Sequence, residues 1–397
     1  MQGRILLSGF LLLAVSAQAQ SPVPIPHIPS NSAIDTEARR IMAQTHANGM
    51  AIAFIDKGNV QYVQAYGIRN ANGDSLSTNT IMYGASLTKT VFAYTVMELV
   101  DKAKIDLDKP IAAYLENPLP SYGVDPGFLR KYGPYKDLAG DQRWENISPR
   151  NVLTQSTGFA NFWFLEPDHK LQIHFDPGTR YSYSGEGYVL LQFAIEHGRQ
   201  SQGLGIDVGD LTNDVFNKLN MPRTSLTWRN DFGSNAADGW NDQGQVQTHN
   251  HNSKVRAAGS LDTTISDFAQ FTAALVRGEG LSGPSFNEMT RPQLHITTAH
   301  QFPVLEPDLP LTQQRDDLYA GLGVVLFRGP QGNGFEKGGH DSTTANTMVC
   351  MQALQRCVVI LSNDARAEAG FRELVHYILG ETGVPYDWDY GSSAGKS

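Results

Sequence analysis

Apolar and polar residues alternate from Gly49 to Tyr66 in two runs, Met50-Ala-Ile-Ala-Phe-Ile55 and Val60-Gln-Tyr-Val-Gln-Ala65, split by Asp56-Lys57-Gly58-Asn59. A period of two around a glycine-bearing break predicts a β-hairpin. The period then changes. Leu87, Val91, Tyr94, Met97 and Val100 recur at helical spacing and predict a core helix over residues 86–104 with a wide buried face. Residues 105–256 mix short helical patterns with long polar, Gly- and Pro-containing loops at 118–133 and 231–253, which predicts an inserted, mostly helical lobe. Strand character returns at 318–327, 346–351 and 357–361, before an amphipathic helix over about 366–379. Strands at both ends of the chain with helices between them predict an α+β fold, an antiparallel sheet built from N- and C-terminal segments and flanked by helices.

The ends read differently. Arg4, the apolar run from Ile5 to Val15 and Ala17-Gln18-Ala19 form a secretory signal pattern over residues 1–19, with cleavage expected before Gln20. An uncleaved anchor is the competing reading, and the Ala-x-Ala site disfavours it. Export to the periplasm or the exterior follows, with no membrane span after cleavage. Pro22, Pro24, Pro26 and Pro29 make residues 20–32 an extended lead-in, and the Gly/Ser-rich stretch 389–397 is an expected disordered tail. Residues 33–388 remain as the folded unit.

A net charge of -9 without long charge runs argues against nucleic acid as a partner, because phosphate binding needs clustered Lys and Arg. The two cysteines, Cys350 and Cys357, face each other if Ala353 and Leu354 centre a hairpin turn. A cross-strand disulfide or a pair of buried free thiols satisfies that geometry.

Candidate chemistry begins at Ser86-Leu87-Thr88-Lys89, at the start of the predicted helix. A serine there is ordinarily an N-cap, and a cap favours Glu or Gln three residues on. Lys89 instead opposes the helix dipole by roughly 0.3–1 kcal/mol. Three residues apart, the ammonium reaches the hydroxyl, and a lysine driven towards neutrality by dipole and burial can take the serine proton. S-x-x-K is short, and Ser393-Ala394-Gly395-Lys396 in the tail matches it by chance. Two further segments add weight: the Gly- and Tyr-rich loop from Asp176 to Tyr188, and Phe335-Glu-Lys-Gly-Gly-His-Asp341, where two glycines beside a lysine allow close backbone approach.

In this order the three segments resemble the serine β-lactamase and penicillin-binding-protein superfamily, especially its class C β-lactamase, DD-peptidase and esterase branch. Val152-Leu-Thr-Gln-Ser-Thr-Gly158 and Arg256-Ala-Ala-Gly-Ser-Leu-Asp-Thr-Thr264 look like the same family, so the resemblance spans about residues 35–385. It implies a nucleophile at Ser86, a proton partner at Lys89 and a general base at Tyr183. It further implies that Lys337 supports Tyr183 and contacts a substrate carboxylate, and that the amides of Ser86 and His340, the latter following Gly339, form the oxyanion hole. No cofactor or metal is implied, and the partner is a small-molecule or peptide acyl substrate. Two departures favour esters or other acyl groups over efficient β-lactam turnover. Gly185 stands where many relatives have an Asn that binds a substrate amide, and Lys-Gly-Gly replaces Lys-Thr-Gly. Acyl transfer by the same fold, or a receptor that binds penicillin without hydrolysing it, are the alternatives, and the oligomeric state is open.

Other residues carry less. His249-Asn250-His251 reads as a solvated loop without a carboxylate companion. The ring of His340 is not expected to act as a base, since Asp341 beside it in a strand points the other way. No G-x-S-x-G elbow is present. Glu186 is read equally as a local hydrogen-bond partner or as functional, and Phe159, Phe162 and Trp163 as core or pocket rim.

Overall fold

The computed structural model describes residues 26–123 and 125–389. The expected signal peptide, the first part of the lead-in and residues 390–397 of the expected tail lie outside them. Strand Gly49–Asp56 turns at Lys57-Gly58, both with positive φ (51° and 71°), into strand Asn59–Gly67. Two residues in this conformation match the right-handed twist of the strands. Alternation holds in the second strand alone: the first is buried on both faces because it sits inside the sheet.

That sheet has eight antiparallel strands. Their order is Asn59–Gly67, Gly49–Asp56, Arg356–Ser362, Ala345–Met351, Gly332–His340, Val325–Gly329, Leu318–Ala320 and Leu294–His295. The N-terminal hairpin thus joins the C-terminal strands edge to edge, as the α+β reading requires. The expected strand at 318–327 is broken at residues 321–324. There Gly323 (φ 79°) tucks against the helix that follows Ser86, where a Cβ would collide with Ala93.

One face of the sheet packs on helices Asn31–Thr45 and Phe371–Leu379, and the other on Leu87–Asp101 and Ile265–Arg277. The first of these helices begins inside the expected lead-in, which holds its cap and first two residues. Ser30 caps it through Ala33 N–H at 3.2 Å, and Ile34, Ala38 and Ile41 bury one face. Between the sheet segments, the described part of the 105–256 lobe has two α-helices longer than five residues, Gly185–His197 and Val208–Lys218. The rest is short turns and loops. At the far end Asp389 is not in a disordered tail: it is buried and closes helix Tyr386–Asp389, and Gln301 Nε2 donates to its carboxylate. Among the described residues no helix is long and apolar enough to cross a membrane.

Cys350 pairs with Cys357 across the hairpin at a Cα separation of 4.1 Å, and the two sulfurs are bonded. With a sequence separation of 7, the closed loop is small, and chain entropy assigns the bond about 2–3 kcal/mol. Urea unfolding of the Cys350→Ala/Cys357→Ala protein is therefore expected to show a loss of that order. Any cavity left between the central strands adds to it.

Candidate active site

The chain reaches Ser86 through strand Met82–Ala85, whose last residue has φ 45°. A non-glycine residue in this region carries strain of order 1 kcal/mol, and here it turns the serine out of the strand and into helix Leu87–Asp101. Ser86 makes no side-chain cap. Thr88 takes over the local bonding, donating to Ala85 O (2.5 Å) and accepting Leu261 N–H (3.0 Å). Ser86 Oγ is left for chemistry.

Two side chains converge on that oxygen, and a third stands beside one of them. Lys89 Nζ donates to it at 3.1 Å and Tyr183 O–H at 2.6 Å. Lys337 Nζ lies 5.2 Å from the Tyr183 ring centroid and donates to Gly338 O at 2.7 Å. Lys89 is 1% exposed, and its second acceptor is Ala258 O at 2.6 Å. Burial, reinforced by the charge of Lys337, holds its pKa below the ordinary lysine value, against the pull of Tyr183. Burial acts the other way on Tyr183, opposing the phenolate. The cations of Lys337 and Lys89 together with hydrogen bonding outweigh it, so the phenol titrates below its ordinary value. A depressed lysine beside a depressed tyrosine is a pair able to take one proton from Ser86.

Loss of a proton from this pair creates the base, so kcat/KM is expected to rise with pH on a limb below the ordinary tyrosine range. Lys337→Met removes a cation that favours the phenolate. Its limb is expected to move to higher pH, which a kcat/KM profile on an uncharged ester would register. A limb that stays in place would remove Lys337 from this role.

Strand Gly332–His340 brings Gly339 against the serine turn so closely that an added Cβ would lie 3.1 Å from Ser86 N and 2.9 Å from Leu87 N. Two features that local sequence patterns did not reveal hold this arrangement. Asn346 Nδ2 donates both to Gly339 O (2.9 Å) and to Tyr83 O (3.1 Å), tying the strand to the segment that leads into Ser86. Gln155 brackets Tyr183: its carbonyl accepts Ser182 N–H (2.8 Å) and its side-chain oxygen accepts Ser184 N–H (2.7 Å). Their partners lie in distant segments, so no local pattern marks them.

Ser86, Tyr183, Lys337 and His340 line a cavity of about 200 Å³, with Asn161 and Phe302 among its other walls. Phe302 packs on Tyr183 at 5.1 Å between centroids and on the His340 ring at 5.7 Å. Burial and the Lys337 charge push the His340 imidazole down to about 4, and burial with the charge of Asp389 pushes Glu368 up to about 8. Near neutral pH their 3.6 Å contact is therefore between two uncharged groups. Gly185 is covered: a Cβ there would collide with the ring of Phe162, and its N–H donates to Asn161 Oδ1 at 2.9 Å. Phe159 is core. Glu186 is buried behind the tyrosine loop, and desolvation raises it to about 7.

His249 corrects the solvated-loop reading. Its ring is buried between Asp262 Oδ1 and Ala237 O, each 3.0 Å away, while His251 stacks on Trp228. The carboxylate companion comes from 13 residues downstream. Among the described residues no group of three or more His, Cys, Asp or Glu side chains is placed to hold a metal ion.

Comparison with known proteins follows the same lines. A family model described as Beta-lactamase matches residues 34–380. The D-alanyl-D-alanine-carboxypeptidase/endopeptidase AmpH of Escherichia coli (strain K12) is 25% identical over 200 residues, 49% of this chain and 51% of that protein. The chain thus spans about half of that relative's length. Among solved structures, the octameric penicillin-binding protein homologue from Pyrococcus abyssi superposes with a TM-score of 0.66 at 16% identity, covering 89% of this chain and 78% of the other. The D-alanine carboxypeptidase AmpC from Burkholderia cenocepacia gives 0.64 at 16% identity, covering 87% and 97%. At these identities the superpositions establish the fold.

Proposed function

The chain belongs to the β-lactamase family, and we propose that it is a serine hydrolase that cleaves an acyl bond through an acyl-enzyme on Ser86. The observation that carries this reading is the placement of Ser86 Oγ within hydrogen-bond reach of both Lys89 Nζ and Tyr183 O–H on the floor of one cavity. Ser86 Oγ attacks the carbonyl carbon while its proton passes to the Tyr183–Lys89 pair. The carbonyl oxygen, now negative, is met by the amides of Ser86 and His340. Tyr183 returns the proton to the leaving group as the carbonyl re-forms, and a water molecule repeats the sequence to free the acid.

Relatives named as D-alanine carboxypeptidases make a peptide carboxylate one candidate partner for Lys337. The missing side chain at Gly185 and the missing hydroxyl at Gly338 point instead to esters and other acyl groups without a carboxyl-terminal D-amino acid. The signal pattern at residues 1–19 supports export of the mature enzyme to the periplasm or the exterior.

The test is intact-protein mass after exposure to an activated ester, a fluorophosphonate and a penicillin, with the adduct mapped to the peptide holding Ser86. A short-lived penicillin adduct would mark a lactamase and a long-lived one a peptidase-like trap. Fast turnover of the ester alone would mark an esterase, and product formed with an added alcohol would mark acyl transfer. Folded protein that none of the three labels would end the hydrolase reading.

A further inference from the structure

Beyond the reacting atoms, the ring of Phe162 occupies the space beside Gly185 that a side chain there would need. Phe162 stacks on Phe164 with ring centroids 5.1 Å apart and planes 8° from parallel, and Trp163 meets Phe164 edge-on at 5.8 Å. The next residue continues outward: Phe164 is 44% exposed and Leu165 62%, the only two consecutive exposed large apolar side chains among the described residues. The shelf is fixed in place. Glu166, itself buried, contacts His174 Nε2 at 2.6 Å, and Trp163 N–H donates to Glu186 Oε2 at 3.4 Å. Its inner end begins beside Asn161, on the wall of the catalytic cavity.

We propose that residues 162–165 form an acyl-group subsite, and that the preferred substrates are esters carrying an aliphatic or aromatic chain on the acyl side of the scissile carbonyl. This rests on the acyl-enzyme reading above. Its start one residue after Asn161, a wall of the catalytic cavity, and the packing of Phe162 against Gly185, two residues from Tyr183, select this occupant. A second protein copy needs about 800 Å² on each side, far more than two exposed apolar side chains with the exposed Asp168, His169 and Lys170 close behind them supply. An acyl chain of six to eight carbons needs only such a strip. Each methylene fully buried multiplies binding by up to about fourfold, and partial cover on an open shelf gives less.

The experiment compares kcat/KM for p-nitrophenyl acetate and p-nitrophenyl octanoate, below the micellar limit, using p-nitrophenol release. Octanoate is expected to be preferred by at least about tenfold in the wild type. In Phe164→Ser/Leu165→Ser the octanoate-to-acetate ratio is expected to fall to within about threefold of one. Leu311→Ser, at another exposed apolar site (86% exposed), is expected to keep the wild-type ratio. If the double variant does not fold, Leu165→Ser alone gives the same comparison with a smaller drop. A wild-type ratio near one, an unchanged ratio in the shelf variant or an equal loss in Leu311→Ser would overturn the proposal. So would a shelf variant that loses binding to phosphatidylcholine vesicles while keeping its ratio. Failure of a fluorophosphonate to label Ser86 is a separate outcome, which overturns the acyl-enzyme reading and this subsite with it.

Discussion

Ser86→Ala is expected to lower kcat by about four orders of magnitude or more and to abolish fluorophosphonate labelling. The size follows from the role: no other oxygen in the cavity is approached by both Lys89 and Tyr183. Folding is expected to survive, because Ser86 makes no cap for its helix and the helix start is bonded through Thr88. Lys89 keeps the Ala258 carbonyl as an acceptor. KM for a small ester is therefore expected to change little, and the melting temperature to stay near wild type. Residues acting as one unit are not additive, so adding Tyr183→Phe to Ser86→Ala is expected to bring almost no further loss. Activity above about one per cent of wild type in Ser86→Ala, measured against the reference losses for such nucleophiles, would place the nucleophile elsewhere.

Gly339→Val is expected to lower kcat by about a hundredfold to a thousandfold, the loss typical when an oxyanion donor is misplaced. Even the first atom of the new side chain would lie 2.7 Å from Gly84 O, 2.9 Å from Leu87 N and 3.1 Å from Ser86 N. All three are backbone atoms on the turn that presents Ser86, so no rotamer relieves the contact. The strand must move away from Ser86, carrying the His340 amide with it. Because the role proposed for the displaced amide is to serve the charged oxygen of the transition state more than the ground-state carbonyl, the effect is expected in kcat more than in KM. A stability loss of about 1–3 kcal/mol accompanies it, as for other overpacked sites. Gly140→Ala is the control, since a Cβ there meets nothing within 4 Å. A Gly339→Val enzyme with wild-type kcat would show that this strand does not shape the oxyanion site.

Some of this architecture was legible along the chain because the forces behind it are local. Helical spacing put Ser86 and Lys89 on one face, and the lysine was conspicuous because a cation in a first turn works against the helix dipole. The hairpin at residues 49–66 followed from its period and its Lys57-Gly58 turn. The Cys350–Cys357 pairing followed from counting outward from a turn, since strand register is an integer. Where local signals competed, the reading slipped. The prolines of the lead-in masked the cap at Ser30, and the apolar content of residues 318–327 hid the break at Gly323, where the turn is shaped by its contact with another helix.

The sequence by itself determined the chemistry available: a serine and a lysine one helical turn apart, a tyrosine in a glycine-rich loop and a lysine beside two glycines. Hydroxyl, amine and phenol reactivity are properties of the residue types, and the spacing of the first pair follows from helix geometry. Tertiary structure alone decided how those groups are poised. Ser86 and Tyr183 are 97 residues apart in the chain, and Asn346 reaches Tyr83 across 263. The depression of Lys89 and Tyr183, the neutral His340 and the aromatic shelf over Gly185 exist only once the sheet closes and water is excluded. Desolvation and charge pairing act through space, and no local pattern in the sequence encodes which distant segments will share that space.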